Sequence, residues 1–191
     1  MVIALILQKL KTSCSACFKD LKRPFLQHIR RNNIEIHGIP NEIRQADLQD
    51  TVVSIAKALD VEIHDNDIEA CHRLKGKNNS NSERTIVRFT NRKFCETLQF
   101  NKSKLREKKI KKKLNKLKIT GNIYINPNLC PYMRFIWGKC KKLYDEKLIN
   151  RFWIYNGYVY IAQDEESDKV KITHLDDLVF IFPGYNFDTK F

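Results

Sequence analysis

Asn33-Ile34-Glu35-Ile36-His37-Gly38-Ile39-Pro40 alternates apolar and polar residues, then breaks at a glycine and a proline. A period of two puts Ile34 and Ile36 on one face and Glu35 and His37 on the other, which predicts a half-buried strand. Downstream, Leu48, Val52, Ile55, Ala56 and Leu59 recur at three and four, the apolar stripe of a helix over Gln45–Leu59. Ile68–Leu74 reads as a second strand and Arg84–Thr90 as a third, separated by a polar segment, Lys77–Ser82, that cannot pack. A helix starting at Arg92 grows rich in lysine and is expected to stop at Gly121, before a fourth strand over Asn122–Ile125.

The order strand, helix, strand, strand, helix, strand is that of the ferredoxin-like split βαβ, the scaffold of RNA-recognition motifs among many other uses. The expected fold class is therefore α+β: a ferredoxin-like, RNA-recognition-motif-like βαββαβ domain over 32–126, whose second helix carries the lysines of 101–120. A small α+β domain over 127–183 is expected to follow. Its helix starts near Pro131 and repeats Met133, Ile136, Trp137, Cys140, Leu143 and Tyr144 on one side. Two strands joined by Asn156-Gly157 come next, a loop whose two residues tolerate positive φ. Lys169–Thr173 reads as a third strand and His174–Phe182 as a short closing helix. Residues 1–31 are expected to form a basic helix and arm, interrupted at Pro24, and residues 184–191 a tail.

The 191 residues leave room for one ordinary domain or two small ones, and 42% hydrophobic against 30% charged residues describes a chain that buries a core. The net charge of +13 is unevenly placed: residues 1–31 carry +6, 32–100 −2, 101–120 +9 and 121–191 zero. Two short cationic segments thus flank near-neutral blocks, the pattern of binding surfaces for polyanions added to folded bodies. No apolar run approaches the roughly 20 residues of a membrane span. Met1–Leu7 is too short and too poorly flanked for a secretory signal. Six cysteines without an export signal imply reduced thiols and an intracellular protein, in cytoplasm or nucleus.

Four surfaces qualify as candidate sites. On the first sheet, Arg84, Ile86 and Arg88 are expected to face out and Thr85, Val87 and Phe89 in. The stacking aromatics of a usual RNA-recognition motif are missing, which leaves Arg73, Arg84 and Arg88 as guanidinium forks for phosphate, with Lys75 and Lys77 in the adjoining loop. The second surface is the run Lys102–Lys118, with Lys104, Lys108, Lys109, Lys111, Lys112, Lys113 and Lys116 around a narrow stripe of Ile110, Leu114 and Leu117. Six to ten phosphate contacts there would cost about 10³ to 10⁵ in affinity between about 50 and 200 mM salt. The alternatives are a nuclear-import signal or a solubilising face.

Third, a two-residue hairpin loop sets Tyr155 opposite Tyr158 and Trp153 opposite Tyr160 on one face, and Phe152, Ile154, Val159 and Ile161 on the other. Val170 and Ile172 are expected on the aliphatic side, Lys169 and Lys171 on the aromatic one. Such a face either packs under the long helix or stacks unpaired bases. Fourth, Cys14-x-x-Cys17 is half of a zinc site with no second cysteine pair at metal spacing, so no metal or cofactor is expected. His64, Asp65, Asp67 and Glu69 precede a strand and read as a turn, and Asp164, Glu165, Glu166 and Asp168 as a solvent loop. No phosphate-binding glycine loop, nucleophile elbow or paired catalytic motif is present, so no enzyme is expected.

Taken together, Asn33–Pro40, Asp67-Ile68-Glu69-Ala70-Cys71-His72-Arg73-Leu74, Thr85–Lys93 and Ile123-Tyr124-Ile125-Asn126-Pro127-Asn128-Leu129 with Pro131-Tyr132 resemble the baculovirus few-polyhedra (FP) protein family. That family is itself similar to the first open-reading-frame proteins of LINE-type retrotransposons. The resemblance spans about residues 32–182. It implies a coiled coil, an RNA-recognition-like domain lacking the usual aromatics, and a small last domain, together clamping single-stranded nucleic acid. The family's basic residues map onto Arg73, Arg84, Arg88 and Arg134. It also implies a non-enzymatic viral late factor, affecting occlusion bodies, virion budding and nucleocapsid traffic in infected cells, with nucleocapsid proteins as partners. The long heptad helix of the family is cut here to about 30 residues broken by Pro24, so a homo-oligomer would lack the family's usual means. The other reading is a structural adaptor that docks nucleocapsid or acidic protein partners.

Overall fold

The computed structural model describes residues 25–74 and 84–187, in two compact units. One unit is Arg31–Asn128; the other joins residues 25–30 to residues 129–187. Both are mixed α and β with antiparallel sheets.

The first unit holds β1 (Asn33–His37), a 3₁₀ turn and α1 (Leu48–Ala58), β2 (Ile68–Leu74), β3 (Arg84–Phe89), α2 (Arg92–Asn101), a second 3₁₀ turn (Lys102–Arg106), α3 (Lys108–Lys116) and β4 (Tyr124–Pro127). Its sheet runs β2-β3-β1-β4. Ile34 pairs with Val87 and Ile125 with Ile36, so one face presents buried aliphatics to the helices. The stripe expected on α1 is buried throughout. Thr85, Val87 and Phe89 point inward and Arg88 out, the alternation expected of β3. Gly38 takes a positive φ of 87°, and any Cβ there would collide with the Asn122 carbonyl, so the strand has to end at glycine.

Three expectations are corrected here. The lysine run is not one helix continued from Arg92: a 3₁₀ turn and an extended Glu107 (ψ 135°) divide it. The reason is phase. In one uninterrupted helix Leu105 would fall about 20° from Leu98, but Ile110 and Leu114 would fall about 120° and 160° away. The break lets all four be buried together. The helix also stops before Gly121. Lys118 adopts a left-handed φ of 60°, while its N–H donates to the Asn115 carbonyl (3.0 Å) and the Ile119 N–H to that of Leu114 (3.0 Å). This is a Schellman ending with lysine where glycine is usual, held by burial of Ile119. Asp60 and Lys147 close two other helices in the same way. Finally, β4 is displaced to Tyr124–Pro127; Pro127 is tolerated because β4 is an edge strand.

The second unit packs α4 (Pro131–Asp145) and α5 (Leu175–Ile181) on a sheet of order β5-β6-β7, comprising Arg151–Tyr155, Tyr158–Ala162 and Val170–Ile172. Asn156 and Gly157, both at positive φ, make the two-residue turn, and the register Trp153↔Tyr160 and Tyr155↔Tyr158 follows from it. Met133, Ile136, Cys140 and Leu143 of α4 bury against Val159, Ile161 and Ile172. One boundary and one burial differ from expectation. Residues 184–187 are no tail: Phe187 is buried in this core and the Tyr185 hydroxyl donates to Glu146 (2.9 Å). Val170, expected in the core, is exposed on the edge strand β7. At the other end, Gln27 is buried in this unit; its Oε1 accepts the Cys130 N–H (2.8 Å), a donor left over at the start of α4.

Candidate nucleic-acid interface

Two of the three arginines expected to bind phosphate on the first sheet are already engaged within the protein. Arg73, expected to bind phosphate, instead donates to the carbonyls of Ile39 (3.3 Å), Pro40 (2.6 Å) and Ile43 (3.0 Å), strapping the chain that leaves β1. Arg84 is paired with Glu35 at 3.2 Å. Glu35, expected in solvent, is buried, and its other oxygen accepts from the Asn128 amide at 2.7 Å. With Glu35 buried, taking Arg84 away would leave that carboxylate short of its cation, so a phosphate recruits Arg84 less readily than an exposed arginine. Arg88 pairs with Glu69 at 2.8 Å, but both are half-exposed, and such pairs contribute only about 0–1 kcal/mol. Of the three arginines, Arg88 alone is easily lent to an anion. Lys75 and Lys77 lie outside the described residues, as do Cys14 and Cys17.

The lysine helix is the opposite case. Ile110 and Leu114 are sunk in the core, while Lys108, Lys109, Lys111, Lys112, Lys113 and Lys116 are exposed. None of the six is joined to a carboxylate among the described residues. Among the described residues, Lys111 alone of the six has a hydrogen-bond partner, the Asn122 amide oxygen at 3.4 Å. Lys104 stands apart from them: it bonds Asp60 (3.3 Å) and the Leu59 carbonyl (3.4 Å) and so serves α1. Beside the helix, Lys102, Arg106 and Lys111 line a cleft of about 600 Å³ with Asn122 and Tyr124. Partial desolvation, then the neighbouring Arg106, hold the Lys102 ammonium below its ordinary range. Positive charge is thus concentrated without compensation, the condition under which a polyanion displaces counterions. Sequence reading missed Lys102, Arg106 and Tyr124 as a group because Tyr124 lies on β4, well beyond the other two in the chain, and the fold brings them to one cleft.

In the second unit the aromatic face of the hairpin does not pack under α4; the aliphatic face does. Trp153 and Tyr160 stack across the strands at 5.9 Å and 16°, and Tyr155, 59% exposed, meets Tyr160 edge-on at 6.1 Å. Lys171 holds its ammonium 3.7 Å from the Tyr158 ring, with Tyr158 also touching the core. Lys169 and Arg151 are exposed nearby in sequence register. On the helix side, Phe152 meets Trp137 at 4.4 Å and Tyr144 at 5.4 Å, an aromatic group the sequence reading had assigned to core. Arg134 is exposed on the first turn of α4.

Elsewhere the chemistry is quiet. Asp67 accepts the His64 N–H at 2.9 Å, making a turn of the acidic stretch before β2. Burial pushes the thiols of Cys71 up to about 11 and of Cys95 and Cys140 to about 12, so these side chains are thiols rather than nucleophilic thiolates at neutral pH. Among the described residues no group of three His, Cys, Asp or Glu side chains is arranged to hold a metal, and no helix is long and apolar enough to cross a membrane. Compared with protein-family models and with curated proteins, the chain finds no match in either.

Proposed function

We propose that the chain is a non-enzymatic, sequence-tolerant binder of single-stranded nucleic acid, RNA in the first place. The observation that carries this reading is α3, a helix anchored by two aliphatic residues that presents six lysines to solvent, none of them joined to a carboxylate among the described residues. The open aromatic face with Lys171 supports single strands over duplexes, since stacking needs unpaired bases. The antiparallel order β2-β3-β1-β4 supports a ferredoxin-like, RNA-recognition-motif-like domain. Sequence tolerance is supported by the predominance of lysine contacts, since phosphates are offered alike at every position of a strand. The ordered motif series from Asn33 to Tyr132 supports a few-polyhedra-type viral late factor acting on occlusion bodies and nucleocapsid traffic. Fluorescence anisotropy with labelled single-stranded RNA at low salt tests the reading; absence of binding to any oligonucleotide in dilute buffer would sink it.

A second reading, an adaptor for nucleocapsid or acidic protein partners, is favoured by one observation. The short helix α5 leaves Val179 and Phe180 exposed, the latter at 87%. It predicts that a lysine-to-glutamine variant of α3 still captures its partner.

A further inference from the structure

At the end of the second unit's sheet lies a cleft of about 680 Å³ lined by Trp137, Tyr144, Asn150, Arg151, Phe152, Trp153 and Lys169. Its volume is that of a site for a small ligand or one segment of a larger one. Four of its seven lining residues are aromatic, two are cationic, and none is acidic. The acidic loop residues Asp164, Glu165, Glu166 and Asp168 precede Lys169 but contribute nothing to the lining.

The aromatic side chains have two origins. Trp137 and Tyr144 stand seven residues apart on α4, close to two full turns, and therefore on one side of it. Phe152 lies against both. Trp153 comes from the opposite face of β5, so the cleft wraps the free edge of the sheet, where β5 has a neighbour on one side only. Tyr144 is 47% exposed, an aromatic surface kept open although the core beside it is closed. Arg151 opens β5 opposite Ala162, Lys169 immediately precedes β7, and both are exposed. Asn150 uses its backbone N–H on the Ala162 and Gln163 carbonyls, and its carboxamide sits at the rim as both donor and acceptor.

We propose that this cleft receives one nucleobase of a single strand, sandwiched by the aromatic groups, with its flanking phosphates on Arg151 and Lys169. An apolar peptide would not need two cations and no anions at the rim, whereas a base carrying negative charge on either side needs both features. The proposal rests on the nucleic-acid reading and deepens it. It adds a stacking site in the second unit, distinct in chemistry from the electrostatic ridge of α3.

The chain's two tryptophans both line the cleft, so intrinsic emission reports on it and, through Trp153, on the adjoining aromatic face, and the cleft variants separate the two. Titration of the whole chain with a fluorescein-labelled ten-nucleotide oligouridylate at about 20 mM salt, read by anisotropy and by tryptophan emission together, separates the outcomes. The expected result is quenching that saturates with the anisotropy. A Tyr144→Ala/Arg151→Gln/Lys169→Gln variant should bind about tenfold or more weakly, with the quench reduced. Arg151→Gln/Lys169→Gln, which leaves every ring in place, should lower the salt slope by about 1.4. If the oligonucleotide binds with no quench and both variants keep wild-type affinity within twofold, the cleft is overturned and the nucleic-acid reading stands. If wild type binds nothing, both fall.

Discussion

The charge ridge of α3 permits a quantitative forecast, because helix geometry limits how many lysines one strand can meet. With Ile110 and Leu114 fixed in the core, Lys112 points directly away from their midpoint. At about 100° per residue, Lys108 and Lys116 lie about 40° to either side of that line and Lys109 about 60° round. Lys111 and Lys113 stand about 100° off, on the flanks. A single strand following the ridge therefore engages about four cations, not the six to ten that the bare lysine count suggests. At about −0.7 per contact, four contacts give a contribution of about −2.8 to the slope of log affinity against log salt, or about 50-fold between 50 and 200 mM. Replacing Lys108, Lys109, Lys112 and Lys116 with glutamine should flatten the measured slope by about that amount in anisotropy titrations. Replacing Lys111 and Lys113 should flatten it by no more than about 1. Equal effects of the two sets, or a slope unmoved by the quadruple change, would refute the ridge geometry.

Three stability forecasts complement it. Thr85 is wholly buried on the core face of β3, and its hydroxyl finds no partner there, so Thr85→Val should raise unfolding free energy by about 1 kcal/mol in urea melts. Gly157→Ala should destabilise by about 2 kcal/mol or more: φ is +78°, and a Cβ would approach the buried Gln27 amide nitrogen to 2.6 Å. Asp177 is raised by burial but, on balance, held below its ordinary 3.8 by the N–H groups of His174 and Thr173 and the Thr173 hydroxyl. A depressed carboxyl stabilises above its unfolded pKa and loses that contribution as pH falls through the folded value. Asp177→Asn should therefore cost about 1 kcal/mol at neutral pH, a cost that vanishes once the pH has fallen through the folded-state pKa.

How far the sequence could be read depended on whether the deciding forces were local. The hairpin register was legible because Asn156-Gly157 admits a two-residue turn, and one turn fixes every opposite pair. The outward aromatic face was left undecided, since only competition with the aliphatic side for α4 settles it. Arg73 reads from the sequence as a phosphate ligand because the carbonyls it bonds lie some thirty residues away in the chain. The division at Glu107 was readable in principle: Leu98 and Leu105 share a phase that Ile110 does not, and the density of lysines concealed it. The helix ends at Asp60, Lys118 and Lys147 carry no turn-forming glycine, and burial of the next apolar residue was the clue at Val61 and Ile119.

The bond from Cys130 to Gln27 ties together residues from the two ends of an intervening body, and this orders events during synthesis. Arg31–Asn128 has all its own strands once translated, whereas the later unit closes around a residue made before it. Its assembly must wait on a loop closure spanning roughly a hundred positions, a slow class of step. A fragment starting at Leu129 would emerge with the first amide of its main helix unanswered and a vacancy beside its hairpin turn. Dissection of the chain should accordingly keep the short stretch around Gln27 attached, in cis or as an added peptide.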